Sequence, residues 1–142
     1  IGSGAFISGI LLALKEKNPR IKIIGVEPLN SNAMWLSLEA NRVVEKESID
    51  TIADGLALKK PGEIPFQIVK KYIDEIVLVE ENEIRKAVVF LLERAKLLVE
   101  PSGAVSIAAL MFGKIDIKNK EIVAILSGGN LDLDKLTNFI KN

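Results

Sequence analysis

Ile122-Val123-Ala124-Ile125-Leu126-Ser127-Gly128-Gly129-Asn130 joins a short, unbroken apolar run to a turn of small and polar residues. A run of this length closed by turn residues is the pattern of a strand buried on both faces of a parallel sheet. Ligands of open α/β sheets lie outside the carboxyl ends of the strands. This reading puts Ser127 and Asn130 where a cofactor or substrate would lie, and Gly128 and Gly129 let the backbone come close to it. The plainer alternative for Ser127 is a hydroxyl that caps the following helix.

Outward from this stretch, helical and extended patterns alternate along the chain. Residues 6–17 carry apolar side chains at helical spacing and stop at Asn18-Pro19. Residues 21–26 read as a buried strand running into Glu27-Pro28, and residues 32–39 as a helix. An irregular stretch, 41–61, holds the turn Ala53-Asp54-Gly55. A helix over 64–72 and a strand over 75–79 follow. The longest helix spans 81–96, with Glu83 near its positive end and Arg94 and Lys96 near its negative end. Helices over 102–112 and 133–141 flank the 122–126 strand. Strands separated by helices indicate crossover connections, so the expected fold is α/β, a parallel sheet flanked by helices. No repeat or low-complexity linker divides the chain, and one domain is expected.

Composition narrows the function. The 19 basic and 19 acidic residues leave a formal net charge of +0, and no basic stripe is present. Nucleic acid and anionic membrane are therefore not expected as partners. No apolar run approaches the ~18–20 residues needed to cross a bilayer. The chain has no Cys, which excludes disulfides and thiolate metal sites within it and fits a cytoplasmic location. It also has no His, the commonest general base and zinc ligand. Chemistry is left to lysine, carboxylates, hydroxyls or a bound cofactor.

Gly2-Ser3-Gly4-Ala5-Phe6 supplies successive backbone N–H groups ahead of a helix N-terminus, an arrangement that favours a phosphate. Small residues keep the approach open. Ala5 suits such a cradle if its φ is negative, because a left-handed alanine would turn a donor away. The alternative is an ordinary glycine-rich lead-in to the helix.

Five motifs follow one another in a telling order: Gly2-Ser3-Gly4-Ala5-Phe6-Ile7-Ser8-Gly9, Gly25-Val26-Glu27-Pro28, Thr51-Ile52-Ala53-Asp54-Gly55, Val99-Glu100-Pro101-Ser102-Gly103-Ala104 and Ser127-Gly128-Gly129-Asn130. With them, nearly all 142 residues resemble the pyridoxal-phosphate-dependent serine/threonine dehydratases and their serine racemase relatives, enzymes of fold type II. The resemblance implies that residues 1–142 are the C-terminal portion, the second half, of the catalytic domain. It also implies that the chain is a piece of a longer enzyme, because the motif of the lysine that anchors the cofactor is not in it.

The resemblance also implies roles for particular residues. Gly2, Ser3, Gly4, Ala5 and Phe6 would hold the phosphate of pyridoxal 5'-phosphate, with Ser3 and Ala5 standing where the family has glycine. Ser127 would meet the pyridine nitrogen and Asn130 would support the same edge. A hydroxyl cannot hold a full proton on that nitrogen, which suits prompt loss of a β-leaving group. Gly55 would pack its backbone beside the cofactor, and Glu100 would lie near the ring as a catalytic candidate. Glu27 and the carbonyl of Ser31 match a divalent-cation site of the racemase branch, but Ala33 stands where its second acid would be. For three of these positions a structural alternative stays open: Glu100 could satisfy the first turn of its helix, Asp54 its own turn, and Glu27 the end of its strand.

The implied activity is β-elimination of L-threonine or L-serine, small amino-acid substrates, to a 2-oxo acid and ammonia. The implied setting is a cytoplasmic homo-oligomer. Two alternatives remain. One is a serine or hydroxy-aspartate racemase or dehydratase on the same scaffold. The other is that the isolated chain is an inert piece or a module that binds the cofactor phosphate.

Overall fold

The computed structural model describes residues 1–141. Its centre is a two-stranded parallel sheet of β1 (Ile24–Pro28) and β2 (Glu75–Val79), in register from Ile24 opposite Glu75 to Pro28 opposite Val79. Side chains of a strand alternate between faces, and the two faces of this sheet serve different cores. Val26, Val77 and Val79 point into one of them, with Ile84, Ala87, Val88, Ala104 and Ala108. Ile76 packs on the other, with Leu11, Met34, Phe66 and Val69. The helices sort accordingly. α1 (Ala5–Lys17), α2 (Ala33–Glu39) and α3 (Glu63–Tyr72) serve the second core. α4 (Glu81–Phe90) and α5 (Pro101–Met111) serve the first, and α6 (Leu133–Lys141) adds Phe139 to it.

Local chemistry sets the ends of these elements. Asn18 closes α1: the Arg20 amide donates to its Oδ1 and the Ile21 amide to its carbonyl, and this turn delays β1 until Ile24. Glu80 and Glu83 form a reciprocal capping box at the start of α4. The sequence pattern carries that helix to Lys96, but regular winding stops at Phe90 and a wider π turn, Leu91–Ala95, follows. Lys96 adopts a left-handed φ of 59°, and the Leu97 amide donates back to the Leu91 carbonyl at 3.1 Å. That six-position reach is one longer than the closing bond of a Schellman motif, in step with the wider π turn, and it is made without glycine. Pro101 occupies the first helical position of α5, where its missing N–H costs nothing.

One expected element does not form. Residues 122–126 pair with no strand among the described residues, and Val123 is 91% exposed, with Ile122 and Ile125 also exposed. A run buried on both faces needs a hydrogen-bonding neighbour and a cover on each side. The fold described here supplies only a partial cover: Leu126 packs on the first core, and the Ser106 hydroxyl donates to the Ile125 carbonyl at 2.9 Å. No helix of the described residues is long and apolar enough to cross a membrane.

Candidate active site

The carboxyl edge of the sheet gathers segments that lie far apart in sequence. Two of them meet at the first turn of α5. The Gly55 amide donates to the Ser102 hydroxyl at 2.8 Å, the Asn130 amide to Glu100 Oε2 at 3.0 Å, and the Glu100 amide to the Gly128 carbonyl at 3.1 Å. The opening loop lies on the far side of the Gly55 turn, where a Cβ added to Gly2 would come within 3.3 Å of the Gly55 carbonyl oxygen. The segment after β1 joins as well, through the Ser31 hydroxyl, which donates to the Leu56 carbonyl at 2.8 Å. At the end of β2, Glu81 Oε2 accepts the Ile52 amide at 2.8 Å and holds the approach to the turn.

The opening loop is shaped for an anion. Gly4 caps α1 with φ 90° and ψ −6°, so the left-handed residue is a glycine. Its space is closed to a side chain, since a Cβ there would lie 2.5 Å from the Met34 methyl and 2.8 Å from Pro65. Ala5 is helical with a negative φ and keeps its donor in place. Its amide reaches the Ser3 hydroxyl only at 3.4 Å. Among the described residues, the Phe6 and Ile7 amides have no protein acceptor. These are orphan donors at the positive end of a 13-residue helix, the chemistry that holds a phosphate. The Phe6 ring stands exposed beside them.

At the second loop, the Ser127 side chain is exposed. It does not cap α6. That task falls to Asp132, whose Oδ1 accepts the Asp134 amide at 3.0 Å and whose carbonyl accepts the Leu136 amide at 3.1 Å. A Cβ on Gly128 would lie 2.4 Å from Glu100 Oε1, so a side chain there would displace the carboxylate that takes the Asn130 amide. Asn130 engages through its backbone amide, and its side chain is exposed. The Glu100 carboxylate thus seats the loop, and its carbonyl accepts the Gly103 and Ala104 amides of α5. Asp54 pairs with Lys135 of α6 at 2.6 Å, both exposed, and this bond raises the Lys135 ammonium above its ordinary range.

The cation expectation at Glu27 and Ser31 needs correction. Glu27 is 1% exposed, and both carboxylate oxygens are engaged: Oε1 accepts the Met34 amide at 3.1 Å and Oε2 the Trp35 amide at 2.8 Å. The carboxylate satisfies the first turn of α2. Burial lifts its pKa to about 7, against the two amide bonds and Lys46, which pull it down. Ser31, whose hydroxyl donates to the Leu56 carbonyl, would bring only its own carbonyl to such a site. No group of three or more acidic, His or Cys side chains that could hold a metal occurs among the described residues. The donors present do not fit a divalent cation.

Sequence patterns alone single out neither Ser102, whose hydroxyl takes the Gly55 amide, nor Glu81, whose carboxylate takes the Ile52 amide. Both bonds join residues about 30 or more positions apart, and only the Pro-Ser spacing after Glu100 hinted that Ser102 opens a helix.

Comparison with known proteins gives this geometry a context. The chain is 45% identical over 140 residues to the L-threonine ammonia-lyase of Thermotoga maritima, covering 99% of this chain and 35% of that protein. It is 40% identical over 139 residues to the catabolic L-threonine dehydratase of Escherichia coli K12, covering 96% and 42%. The structure of processed threonine deaminase isoform 2 from Solanum lycopersicum superposes with a TM-score of 0.91 at 39% identity, over 99% of this chain and 39% of that one. Maize serine racemase gives 0.88 at 34% identity, over 99% and 44%. The chain therefore spans well under half the length of each of these relatives. Residues 1–128 match the family described as "Pyridoxal-phosphate dependent enzyme", and the chain belongs to that family.

Proposed function

We propose that residues 1–142 are the C-terminal portion of the catalytic domain of an L-threonine or L-serine dehydratase that uses pyridoxal 5'-phosphate. The observation that carries this reading is the Gly55 turn held between the opening loop on one side and the first turn of α5 on the other, where α5 also seats the Ser127 loop. The likeness to threonine ammonia-lyases and dehydratases supports the reaction class. When bound, the cofactor draws off the electron pair released as the α-proton leaves. The phosphate would be held by Gly2, Ser3, Gly4, Ala5 and Phe6, whose orphan donors suit a dianion. Ser127 offers its exposed hydroxyl to the pyridine nitrogen and Gly55 its backbone to the ring. Glu100 and Asn130 hold the Ser127 loop in place. The α-proton and the β-hydroxyl depart as water, and hydrolysis of the released enamine consumes one water to give the 2-oxo acid and ammonia. The lysine that anchors the cofactor and takes the α-proton belongs to another part of the protein, which we read as a cytoplasmic homo-oligomer. A racemase on the same scaffold is the second reading, favoured by the likeness to maize serine racemase. The engagement of Glu27 by α2 weighs against its cation-binding form.

The test is Ser127→Ala in the protein that carries this chain. The variant keeps the cofactor and loses roughly 10²-fold in kcat, the scale of one well-placed catalytic hydrogen bond. Unchanged turnover would overturn the role of Ser127. Conversion of L-serine to D-serine that outpaces 2-oxo acid formation would favour the racemase.

A further inference from the structure

Two serines hold the Asp54–Leu56 turn, one at Gly55 and one at Leu56. Ser31 donates its hydroxyl to the Leu56 carbonyl, and Ser102 accepts the Gly55 amide, each at 2.8 Å. Both are buried, so neither bond is exposed to competition from bulk water. The Ser102 hydroxyl also fills the room beside Gly55, where a Cβ would lie 3.0 Å from its oxygen. On its other side the turn rests against the opening loop, since a Cβ on Gly2 would come within 3.4 Å of both the Gly55 oxygen and the Leu56 Cα. Glu100, two residues before Ser102, secures the Ser127 loop through the Asn130 amide and the Gly128 carbonyl. One turn of α5 therefore fixes two of the three glycine-containing segments that face the candidate site.

We propose that Ser102 is a positioning residue for the cofactor site, setting the Gly55 turn at the distance from α5 that the opening loop requires. The role rests on the cofactor reading above, and Ser102 acts through Gly55 rather than by touching the cofactor. Alanine at 102 leaves the Gly55 amide without its acceptor, and threonine restores an oxygen at the same place.

The experiment compares Ser102→Ala and Ser102→Thr with the parent in the protein that carries this chain. Two readouts are needed: hydrogen exchange of the Gly55 amide without cofactor, and pyridoxal 5'-phosphate affinity by fluorescence quenching. In Ser102→Ala, exchange at Gly55 rises and affinity falls, each by roughly 10-fold, the scale of one lost buried hydrogen bond. Ser102→Thr returns both to within about twofold of the parent on the same scale. If Ser102→Ala fails to accumulate, Ser102→Cys, similar in size with a weaker acceptor, shows the same changes in smaller measure. Unchanged exchange at Gly55 overturns the bracket itself. Faster exchange with unchanged affinity overturns the link to the cofactor. A parent that binds no pyridoxal 5'-phosphate removes the cofactor reading and this proposal with it, even where Gly55 stays protected.

Discussion

Residues 75–79 and 122–126 are two five-residue segments rich in Ile, Val and Leu, the first opened by Glu75, and they have opposite fates. The first is β2, paired along its length with β1 and ending in Val79 at 0% exposure. The second is unpaired, with Val123 open to solvent. Their β-propensity is similar. The difference lies in what flanks them: β2 has β1 beside it and helices over both faces, whereas 122–126 has α5 on one side only. A strand of this kind is made by its neighbours, and apolar composition alone only permits it.

The most forceful way to break this contrast is to place a charge in each run. In the 142-residue chain, Val79→Asp destabilises by about 4 kcal/mol or more, because a carboxylate without a partner replaces a core methyl pair. Val123→Asp stays within about 0.5 kcal/mol. Denaturant unfolding measures both, and equal sensitivity would show 122–126 to be as well covered as β2. In the longer protein proposed above, Val123→Asp becomes costly as well.

The loop that ends the second run is tested by glycines in helices. A Cβ on Gly103 of α5 would lie 2.8 Å from the Gly128 carbonyl oxygen and 2.9 Å from its nitrogen, whereas Gly9 of α1 meets nothing within 4 Å. Gly103→Ala therefore costs about 2 kcal/mol by pushing the Ser127 loop away, and Gly9→Ala gains about 0.5–1 kcal/mol from helix propensity. A neutral Gly103→Ala in thermal melts would mean that the loop does not rest on α5.

A slope rather than an offset is expected at Glu27, on the strand that β2 pairs with. Its folded pKa of about 7 lies above the ordinary 4.5, so between those values the folded chain holds a proton that the unfolded chain releases. The resulting stabilisation is complete below pH 4.5 and is lost as pH rises through about 7. Glu27→Gln removes this slope, about 1 kcal/mol per pH unit, from stability measured across that window. An unchanged slope would mean that the carboxylate is not buried against α2.

Much of this fold was legible because its signals are local. The range 75–79 was read to the residue, since Glu80 and Glu83 close it with a capping box. The helix over 133–141 was bounded as read. What the pattern missed depends on distant partners. Nothing near Lys96 signals a π turn closed by a left-handed residue that is not glycine. The run 122–126 carries every local mark of a strand and lacks only a neighbour. At the site, the motifs named the segments that meet, but not the bonds between them. Glu100 reads as a candidate acid beside the ring, yet its position is explained by Gly128 and Asn130, about 30 residues on. Glu27 leaves a cation ligand and a strand-end carboxylate both open until α2 is folded against it.

Gly4 alone in the opening loop takes the left-handed backbone, and its neighbours at 3 and 5 carry a hydroxymethyl and a methyl. The spelling of such a loop is therefore free at most of its letters and fixed at one. A search that demands four consecutive glycines would pass over this chain, although the donors it seeks are in place. A search that demands one glycine immediately before the helix, with any small residue around it, would find it. Drift among relatives should follow the same rule, with Ser, Ala and Gly exchanging at positions 3 and 5 while position 4 stays constant.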